Sequence, residues 1–593
     1  MDSNTNQLHF ILIPLLAQGH MIPMTDIAFL LAKQGMVVTL VMTPLNASRN
    51  AARIQRAADS GLQIRILEIP FVCQKVGLPE GCENLDIIPS RDMIKNFYKA
   101  MDEMQIPLEE NLQRLSTPAS CIISDKCLSW TSKTAEKFKI PRVVFHGMNC
   151  FSLLASHNIK LHNTHLSVSS SSQPFLVPGM PYRIQITKAQ LPGSFVALPD
   201  LEDIRDQMRE AESRAFGVIV NSFSDLEHQC IQDYQKAINK RVWCIGSVSL
   251  CNKEVKDKFE RGNNASISEN ECLEWLNTVK PKSVIYVCLG SQCRLVPSQL
   301  IELGLGLEAS NRPFVWAIKT GEKREELENW LVQSKFEDRI QGRGLLIKGW
   351  APQVLILSHP SIKGFLTHCG WNSTIESISN GIPMITWPQF AEQFLNEKQV
   401  VDILQIGVRV GVDIPVRFGD EEKTGVLVNR HDIATAVNIL MDGGEEGEKR
   451  RKRAKRLEEM ARKAVIEGGS SNNDLSLLIQ EIKEHSILSI VYLFHFQITA
   501  YSFSLSSQLL CLSFSSNSPS LRTSSPPPVR TSTSALSTSS SPPIFTSFSL
   551  PPSSSSSLSL SSSSSLPLST SSCCLRGFRL VFDWLLFLYS IAA

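Results

Sequence analysis

Short apolar runs alternate with helical segments along most of this chain, and this alternation is the feature that most restricts its fold. Residues 10–14 and 36–43 are typical of buried strands, and residues 21–33 between them carry apolar side chains at helical spacing. Similar strand-like runs recur at residues 121–124, 142–146, 217–221 and 242–245. The pattern predicts a doubly wound, Rossmann-like α/β domain with a parallel sheet over residues 1–250.

A second domain of the same kind is predicted after a polar, charged linker at residues 251–271. Strand-helix alternation restarts at residue 283 and is predicted to continue through a domain of residues 272–456. Its predicted strands end at Leu289, Thr367 and Trp387, each followed by a polar loop. Parallel α/β sheets bind ligands beyond the carboxyl ends of their strands, so these loops are the expected binding region. Residues 457–485 are predicted to form terminal helices.

Composition restricts the partners and the compartment. The 593 residues carry a net charge of +2, so neither nucleic acid nor an anionic membrane is an expected partner. The 15 cysteines show no paired C-x-x-C spacing, and the N-terminus lacks a basic, then apolar, secretory signal. A cytoplasmic protein with reduced thiols is therefore expected. No Asp-x-Asp pair lies in a suitable loop, since Asp200 and Asp203 have the wrong spacing, so no metal site is predicted.

The composition changes abruptly over residues 486–593. Serine runs at 553–557 and 561–565 and clustered prolines leave no basis for a packed core, which predicts a disordered, low-complexity extension. The apolar pieces at residues 487–496 and 580–593 are shorter than the roughly 20 residues that span a bilayer, so stable membrane insertion is not expected.

The segment of residues 350–393 carries the strongest indication of a ligand site. A buried-strand run at residues 364–367 leads into His368 and then into a helical pattern from about Asn372. Helix N-termini present unpaired N–H groups and partial positive charge, so a diphosphate is a suitable ligand there. Ser373 and Glu376 also fit a capping box, in which they would only satisfy backbone donors, and this alternative stays open at the level of sequence.

The flanks of this segment add contacts for a base and a sugar. Trp350 follows the apolar run 345–347 and could stack on a base, with Gln353 nearby. Glu392 and Gln393 follow the strand candidate 383–387 and suit sugar hydroxyls. Ser291, in the turn after the run 283–289, is either a further phosphate contact or a turn residue that leads into a helix. Candidate contacts for a base, a phosphate and a sugar thus follow one another along the chain, and this order indicates a sugar-nucleotide site.

A histidine and an aspartate follow two strands of the first predicted sheet. His20 lies between the first strand and a helix predicted to begin at Met21, and a histidine can accept a proton near neutral pH. Asp125 ends another strand and could accept the imidazole N–H. The alternatives are a structural cap or an exposed residue for His20, and a helix N-cap for Asp125.

Residues 350–393 resemble the signature segment of plant UDP-dependent glycosyltransferases in length, in the first Trp and in the closing Gln. The resemblance extends over residues 8–485. Members of that family normally end near residue 485, so the resemblance implies that residues 486–593 are an extension introduced by a gene model that reads past its true stop or through an intron. Residues 9–35 and 121–131 resemble the subfamily that glucosylates flavonoids, cytokinins, steroidal hormones and triterpenoids. The resemblance implies a GT-B fold, in which two Rossmann-like domains face each other across a cleft and residues 457–485 return to the first domain.

The resemblance also implies residue roles. His20 would be the catalytic base and Asp125 its orienting acid. The remaining assignments are uracil contacts by Trp350 and Ala351, ribose contacts by Gln353 and Glu376, diphosphate contacts by His368, Asn372 and Ser373, and sugar contacts by Trp371, Glu392 and Gln393. Trp371 and Gln393 resemble members that prefer glucose to glucuronic acid or galactose.

The expected activity is an inverting transfer of glucose from UDP-glucose, as co-substrate, to a hydroxyl of a small plant metabolite. A flavonoid or other phenolic is the first expectation, and a triterpenoid, steroid or cytokinin the next. No cofactor or metal is expected, and the enzyme is expected to be a monomer. A silent sugar-nucleotide-binding protein and a dehydrogenase are the alternatives, although no glycine-rich fingerprint follows the first strand.

Three further patterns are ambiguous in the sequence. Residues 304–309 match a dinucleotide fingerprint but lie inside a helical pattern, which favours close helix packing. Residues 449–456 are basic but bracketed by glutamates, which favours a solvated helix face over a localisation signal. The acceptor pocket is the least defined feature, because its candidate wall residues could equally belong to the core; they are Phe145, His146, Met148 and Phe151.

Overall fold

Two parallel sheets organise this protein. The computed structural model describes residues 7–195, 199–319 and 324–488. Within these residues a seven-stranded sheet and its helices form the first half of the molecule, and a six-stranded sheet and its helices form the second half. The predicted disorder of the C-terminal extension lies outside the described residues, except that residues 486–488 are helical.

The strands of the first half are β1 (His9–Ile13), β2 (Val37–Met42), β3 (Ile64–Glu68), β4 (Cys121–Asp125), β5 (Arg142–His146), β6 (Pro174–Leu176), β7 (Gln185–Thr187), β8 (Gly217–Val220) and β9 (Arg241–Cys244). The strands of the second half are β10 (Val284–Cys288), β11 (Phe314–Ile318), β12 (Gly344–Lys348), β13 (Ile362–Thr367), β14 (Met384–Thr386) and β15 (Gly407–Arg409).

The helices that accompany the first sheet are α1 (Gln18–Lys33), α2 (Pro44–Asp59), α3 (Ile94–Asp102), α4 (Gln105–Gln113), α5 (Trp130–Phe138), α6 (Cys150–His162), α7 (Glu202–Ser213) and α8 (Ser224–Ile238). Those that follow are α9 (Val255–Phe259), α10 (Glu269–Thr278), α11 (Pro297–Ala309), α12 (Arg324–Gln333), α13 (Phe336–Arg339), α14 (Gln353–Leu357), α15 (Trp371–Ser379), α16 (Gln393–Lys398), α17 (Glu421–Thr424), α18 (Arg430–Met441) and α19 (Glu445–Val465). A last helix, α20, covers residues 470–488.

The strand orders confirm the doubly wound class. The first sheet has the order β3-β2-β1-β4-β5-β8-β9 and the second β12-β11-β10-β13-β14-β15. Neighbours in both sheets pair in parallel, and only the separate hairpin of β6 and β7 is antiparallel among the described strands. The strand order reverses between β1 and β4 and between β10 and β13. Such switch points form crevices at the carboxyl ends of the strands, where ligands bind.

Several element bounds differ from the sequence expectation. Helix α1 begins at Gln18 rather than at Met21, so His20 lies inside its first turn. The edge strand β3 escapes the pattern because the polar, exposed Arg65 and Glu68 interrupt its apolar run. The predicted linker contains α9 and the start of α10, and the predicted bound at residue 457 falls inside α19. The domain bounds therefore stay a prediction.

The C-terminal helices contact both halves. Helix α19 packs against α15 of the second half and α8 of the first. In α20, Leu475, Leu478 and Ile482 are buried in the same apolar cluster as the strands β1 and β2. Asp474 of α20 accepts a hydrogen bond from the backbone N–H of Cys244 at 2.8 Å. Helix α20 therefore completes the core of the first half.

The ambiguous patterns have structural roles. Residues 304–309 lie in α11, where a Cβ on Gly306 would approach Ile433 of α18 to 2.7 Å, so this glycine permits close helix packing. The basic residues 449–456 lie on α19, where Lys449, Arg451 and Lys455 pair with glutamates on the same helix. In the part of the chain that the structure describes, no helix combines the length and apolar character needed to cross a bilayer.

Candidate active site

A cavity of about 1140 Å³ collects residues from both halves at the switch points of the two sheets. His20 and Gly147 line it from the first half. Every residue that the sequence assigns to the UDP-sugar also lines it: Ser291, Trp350, Ala351, Gln353, His368, Trp371, Asn372, Ser373, Glu376, Glu392 and Gln393. Residues more than 370 positions apart in sequence, from His20 to Gln393, therefore share one cleft.

His20 and Asp125 form a hydrogen-bonded pair at the first switch point. Because β1 and β4 are neighbours, the loop after β1 and the end of β4 meet at one edge. The Nδ1 atom of His20 lies 2.5 Å from Oδ2 of Asp125. The other Asp125 oxygen accepts from the backbone N–H of Cys127 at 2.9 Å. Asp125 thus fixes the imidazole tautomer and leaves Nε2 of His20 as the nitrogen that can accept a proton.

The structural alternatives for this pair do not hold. The N-cap of α1 is Ala17, so His20 does not cap its helix. Helix α5 begins at Trp130 with Ser129 as its N-cap, so Asp125 is not a helix cap either. Asp125 is buried, with 1% of its surface exposed, whereas the His20 side chain keeps 27% exposed.

The electrostatics of the pair favour proton uptake by His20. Burial alone would lower the pKa of His20, but the charge and hydrogen bond of Asp125, with a smaller effect of Glu392, raise it above its usual value. Burial would raise the pKa of Asp125, but the interaction with His20 lowers it. The carboxylate therefore stays charged while the imidazole gains and loses a proton.

The second switch point presents donors suited to a diphosphate. Helix α15 begins at Trp371 with Gly370 as its N-cap, a residue with no side chain to occupy the first-turn N–H groups. His368 lies at the end of β13, and burial lowers its pKa to about 4, so its ring is neutral at physiological pH. Its Nδ1 atom is buried without a hydrogen-bond partner in the structure. A neutral ring and a helix N-terminus can both donate to phosphate oxygens.

Glycines on either side hold the His368 ring in place. A Cβ on Gly290 would lie 2.5 Å from the ring, and Gly290 also has a φ of +82°. A Cβ on Gly370 would lie 2.3 Å from Nε2. The turns after β10 and β13 therefore approach the imidazole as closely as backbone allows. Ser291 follows directly in the β10 turn, six residues before α11 begins, so it is not a helix-start residue.

Ser373 and Glu376 do not form a capping box. Both lie inside α15, whose N-cap is Gly370. The Nε2 atom of Gln353 donates to the Ser373 hydroxyl at 3.1 Å and to Oε2 of Glu376 at 2.8 Å. The capping alternative is therefore wrong, because the two side chains bond to Gln353 across the cleft wall rather than to backbone donors of their own helix.

Trp350 lies at one end of the same cavity wall. Its indole is partly exposed and packs over Gly262, where a Cβ would approach the ring to 2.5 Å. Ala351 beside it is buried but lines the cavity. At the other end, Gln393 accepts from the backbone N–H groups of Gln389 and Phe390 at 2.8 and 3.1 Å, which fixes the loop that carries Glu392.

Trp371 and Asn372 join the two halves. The indole of Trp371 is 2% exposed, and its Nε1 atom donates to the Asn221 carbonyl of the first half at 2.8 Å. Asn372 donates to the Gly19 carbonyl, next to His20, at 2.5 Å. The indole N–H of Trp371 therefore already donates a hydrogen bond within the protein. The predicted contact of Trp371 with the sugar would have to be made by its backbone at the cavity wall.

The four candidate acceptor residues require a correction. Phe145 and Phe151 are fully buried in apolar clusters, and Met148 packs against one of them. His146 is 2% exposed and hydrogen-bonded to Glu212 at 2.6 Å. None of the four lines the cavity described here. Strand β5 and helix α6 direct Phe145, His146 and Phe151 into the core, whereas Met148 is partly buried in the loop between them. Gly147, between them, lines the cavity, and a Cβ there would lie 3.2 Å from the His20 ring.

Sequence reasoning missed several lining residues. Arg261 lies in the segment between α9 and α10, called the connecting segment below. It lines the cavity and donates a hydrogen bond to Glu376 at 2.6 Å. Residues 86–92, together with Phe390 and Phe418, supply further walls. No local pattern distinguishes a lone arginine in a polar segment from a solvated one, so only its burial reveals it. Among the described residues, no group of three or more His, Cys, Asp or Glu side chains could hold a metal ion.

Comparisons with known proteins agree with this geometry. Residues 6–249 match the family described as "Glycosyltransferase, N-terminal domain", and residues 255–413 match "UDP-glucoronosyl and UDP-glucosyl transferase". The chain belongs to the plant UDP-glycosyltransferases. It is 57% identical to UDP-glycosyltransferase 73D1 of Arabidopsis thaliana over 81% of this chain and 98% of that protein. UDP-glycosyltransferase 73C3 of the same plant is 51% identical, over 80% of this chain and 96% of that protein.

A solved structure gives the same assignment of fold. The crystal structure of Glycyrrhiza uralensis UGT73P12, complexed with glycyrrhetinic acid 3-O-monoglucuronide, superposes with a TM-score of 0.78 at 32% identity. The match covers 84% of this chain and all of that one. The GT-B fold expected from the sequence is thereby confirmed. The protein is a glycosyltransferase that uses a UDP-sugar as co-substrate, and the dehydrogenase alternative is wrong.

Proposed function

We propose that this protein is an inverting, UDP-glucose-dependent O-glucosyltransferase that acts on a small hydroxylated plant metabolite. The observation that carries the proposal is the shared cavity, in which the His20–Asp125 pair of the first half faces the donor-site residues of the second. One half holds a base and the other a nucleotide site, which is the arrangement that a direct displacement requires.

In the proposed mechanism, Nε2 of His20 removes the proton of an acceptor hydroxyl while that oxygen attacks the anomeric carbon of glucose. The bond from this carbon to the UDP oxygen breaks on the opposite face, so the α-linked donor gives a β-glucoside. Asp125 stabilises the imidazolium that forms. The N-terminus of α15, with His368, Asn372 and Ser373, stabilises the negative charge on the departing diphosphate.

The roles of the remaining donor-site residues follow the order along the wall. Trp350 and Ala351 hold uracil, Gln353 and Glu376 hold ribose, and Ser291 adds a phosphate contact. Trp371, Glu392 and Gln393 hold the sugar, and the resemblance of Trp371 and Gln393 to glucose-preferring members supports UDP-glucose. We also propose that no metal ion is needed, since the diphosphate donors are N–H and O–H groups of the chain.

The acceptor proposal follows the relatives and the corrected cavity wall. A flavonoid or other phenolic is the first candidate, and a triterpenoid, steroid or cytokinin the next. The complex of the Glycyrrhiza uralensis protein with glycyrrhetinic acid 3-O-monoglucuronide supports the triterpenoid class. The apolar residues Ile87, Ile88 and Pro89 line the cavity from the first half and would take the place of the buried phenylalanines as wall residues. The proposed state is a cytoplasmic monomer.

The test is a panel assay with the purified chain. UDP-glucose, UDP-galactose and UDP-glucuronic acid are offered with hydroxylated plant metabolites, and products are analysed by mass and by the anomeric NMR coupling. We expect a β-glucoside, formed fastest from UDP-glucose and unaffected by EDTA. An α-glucoside would contradict the inverting mechanism, and UDP-glucose binding without any product would favour the silent binding protein.

The His20→Ala variant tests the proposed base. Loss of a general base is expected to lower kcat by about 10²–10⁴-fold, while the dissociation constant of UDP stays near that of the wild type. The matched control is His431→Ala, an exposed histidine on α18 outside the cavity. Full activity of His20→Ala, or equal losses in both variants, would contradict the role of His20.

A further inference from the structure

A buried ionic network connects the two halves behind the nucleotide site. Arg261, in the connecting segment, is 7% exposed. Its Nε atom donates to Oδ2 of Asp26 at 2.8 Å, and its Nη1 atom donates to Oε1 of Glu376 at 2.6 Å. Asp26 belongs to α1 of the first half and Glu376 to α15 of the second. One guanidinium therefore holds a carboxylate of each half.

Asp26 is itself held firmly by further partners. Nη2 of Arg53 donates to its Oδ1 atom at 3.0 Å, and Nδ2 of Asn252 donates to the same oxygen at 3.1 Å. Asp26 is completely buried and Arg53 is 5% exposed. A buried carboxylate with charged and amide donors is a fixed anchor, because any rotation would leave a desolvated charge unpaired.

Glu376 is held in the same way on the cleft side. Arg261 occupies Oε1 and Gln353 occupies Oε2, so both oxygens have one defined donor. Each carboxylate oxygen can accept a second hydrogen bond, and Glu376 lines the cavity. Through Nε and Nη1 the planar guanidinium bonds one oxygen of Asp26 and one oxygen of Glu376, and a flexible ammonium group would not hold the two carboxylates in this fixed geometry.

The residue next to Arg261 contacts the base end of the site. Gly262 has a φ of +98°, and a Cβ there would lie 2.5 Å from the Trp350 indole. The dipeptide 261–262 therefore supports the residues proposed to bind ribose and uracil at the same time. Asp26 also lies in the helix that carries His20, so the network connects the base-bearing helix to the nucleotide wall.

We propose that Arg261 is a positioning residue that orients the Glu376 carboxylate toward the ribose hydroxyls and anchors the nucleotide wall to α1. The proposal rests on the proposed ribose contact of Glu376. Its chemical consequence is specific. An oriented carboxylate discriminates a ribose from a 2′-deoxyribose, because the missing hydroxyl leaves an acceptor unpaired, whereas a loosely held carboxylate discriminates less.

The test measures dissociation constants of UDP and 2′-deoxy-UDP by calorimetry for the full chain. The wild type is expected to prefer UDP, and Arg261→Met to lose about tenfold of that preference. Arg261→Lys keeps the charge but not the planar guanidinium, so it is expected to lose part of the preference for UDP. This variant replaces Arg261→Met in the test if Arg261→Met does not fold. The matched control is Arg53→Met, which removes the other arginine of Asp26 without touching Glu376 and should keep the wild-type ratio.

Two results would overturn the inference. One is an unchanged UDP to 2′-deoxy-UDP ratio in both Arg261 variants, and the other is an equal loss in Arg53→Met, which would indicate a general structural effect. Glu376→Gln separates this inference from the proposed function. If Glu376→Gln keeps the full preference, the ribose contact itself is wrong. If Glu376→Gln loses the preference and the Arg261 variants do not, only the role of Arg261 is wrong.

Discussion

At the scale of single residues, the site depends on side chains whose neighbours change their chemistry. His20 is suited to accept a proton because a buried carboxylate binds its Nδ1 atom and raises its pKa. His368, only partly exposed in the same cavity, has no such partner, and burial lowers its pKa to about 4. Two histidines thereby receive different roles, since one can gain a proton and the other stays neutral.

The pH dependence of activity follows from the His20–Asp125 pair. The base must be neutral, and its pKa is raised above the usual 6.5, so kcat/KM is expected to fall as the pH falls through a value above 6.5. Asp125→Asn removes the main cause of the raised pKa. The acidic limb of its pH profile should therefore move to lower pH, with kcat reduced by about 10²–10⁴-fold.

Glu212→Gln is the matched control for this profile, because it removes a carboxylate from His146 and leaves His20 untouched. Its acidic limb should coincide with that of the wild type. An Asp125→Asn enzyme whose limb does not move would show that the pair does not set the pKa of the base.

The turn glycines give a second prediction at this scale. Gly290→Ala forces a side chain into positive φ and also against the His368 ring, so UDP should bind about fivefold more weakly through loss of a hydrogen bond worth about 1 kcal/mol. Gly411→Ala shares the strain, with a φ of +102°, but has nothing within 4 Å of the new Cβ. Titration calorimetry should show weaker UDP binding only in Gly290→Ala; equal affinities would contradict the ring contact.

At the scale of secondary-structure elements, helix starts and helix contacts position these side chains. The sequence motif S-x-x-E suggests a helix start at Ser373, yet α15 begins two residues earlier at Trp371. This shift frees Ser373 and Glu376 to bond to Gln353. A capping motif is a local pattern, and here the tertiary contact with Gln353 outweighed it.

Packing of α11 against α18 can be tested with two glycines of one helix. Gly306→Ala places a Cβ 2.7 Å from Ile433 and 2.9 Å from the Arg430 carbonyl, and such overpacking costs about 1–3 kcal/mol. Gly304→Ala gains the same helix propensity, about 1 kcal/mol, and meets only aromatic edges at 3.1 Å or more. Denaturant unfolding should rank Gly306→Ala clearly below Gly304→Ala; the reverse order would contradict close packing.

At the scale of the whole molecule, contacts between residues that are distant in sequence join the two halves. Helix α20 follows the second half in sequence but buries Leu478 in the core of the first. The Asn372–Gly19, Trp371–Asn221 and Arg261 contacts cross between the halves around the cleft. The active site is therefore a property of the assembled molecule rather than of either sheet.

Truncations test this arrangement. A chain that ends at residue 488 should keep the Tm and kcat/KM of the full chain, because the relatives match 81% of this chain yet are themselves covered to 98%. A chain that ends at residue 469 should unfold at a lower temperature, because it loses Leu475, Leu478 and Ile482 from the core. Mass analysis of the native protein tests whether residues 486–593 are an extension introduced by the gene model. A mass that ends near His485 would support this interpretation, and peptides from residues 500–593 would contradict it.

The sequence alone determined the α/β class and predicted the donor-site residues. Both depend on patterns within a few tens of residues: the periods of strands and helices, and the polar side chains that follow a strand end. All eleven predicted donor-site residues line one cavity, including Ala351 and Trp371, which only the resemblance to the family indicated, and their individual contacts with a ligand stay predictions.

Only the tertiary structure decided which residues surround those patterns. The sequence left open whether Phe145 and Phe151 are pocket walls or core, and the structure places both in the core. Gly147 and Arg261 carried no signal in the sequence and line the cleft. Burial depends on elements that are distant in sequence, as with Arg261 between Asp26 and Glu376. The periodicity of a single sequence shows which residues share a face of a helix or strand. It does not show which face a neighbouring element will cover in the folded protein, and this decides whether a residue is core or lines the cleft.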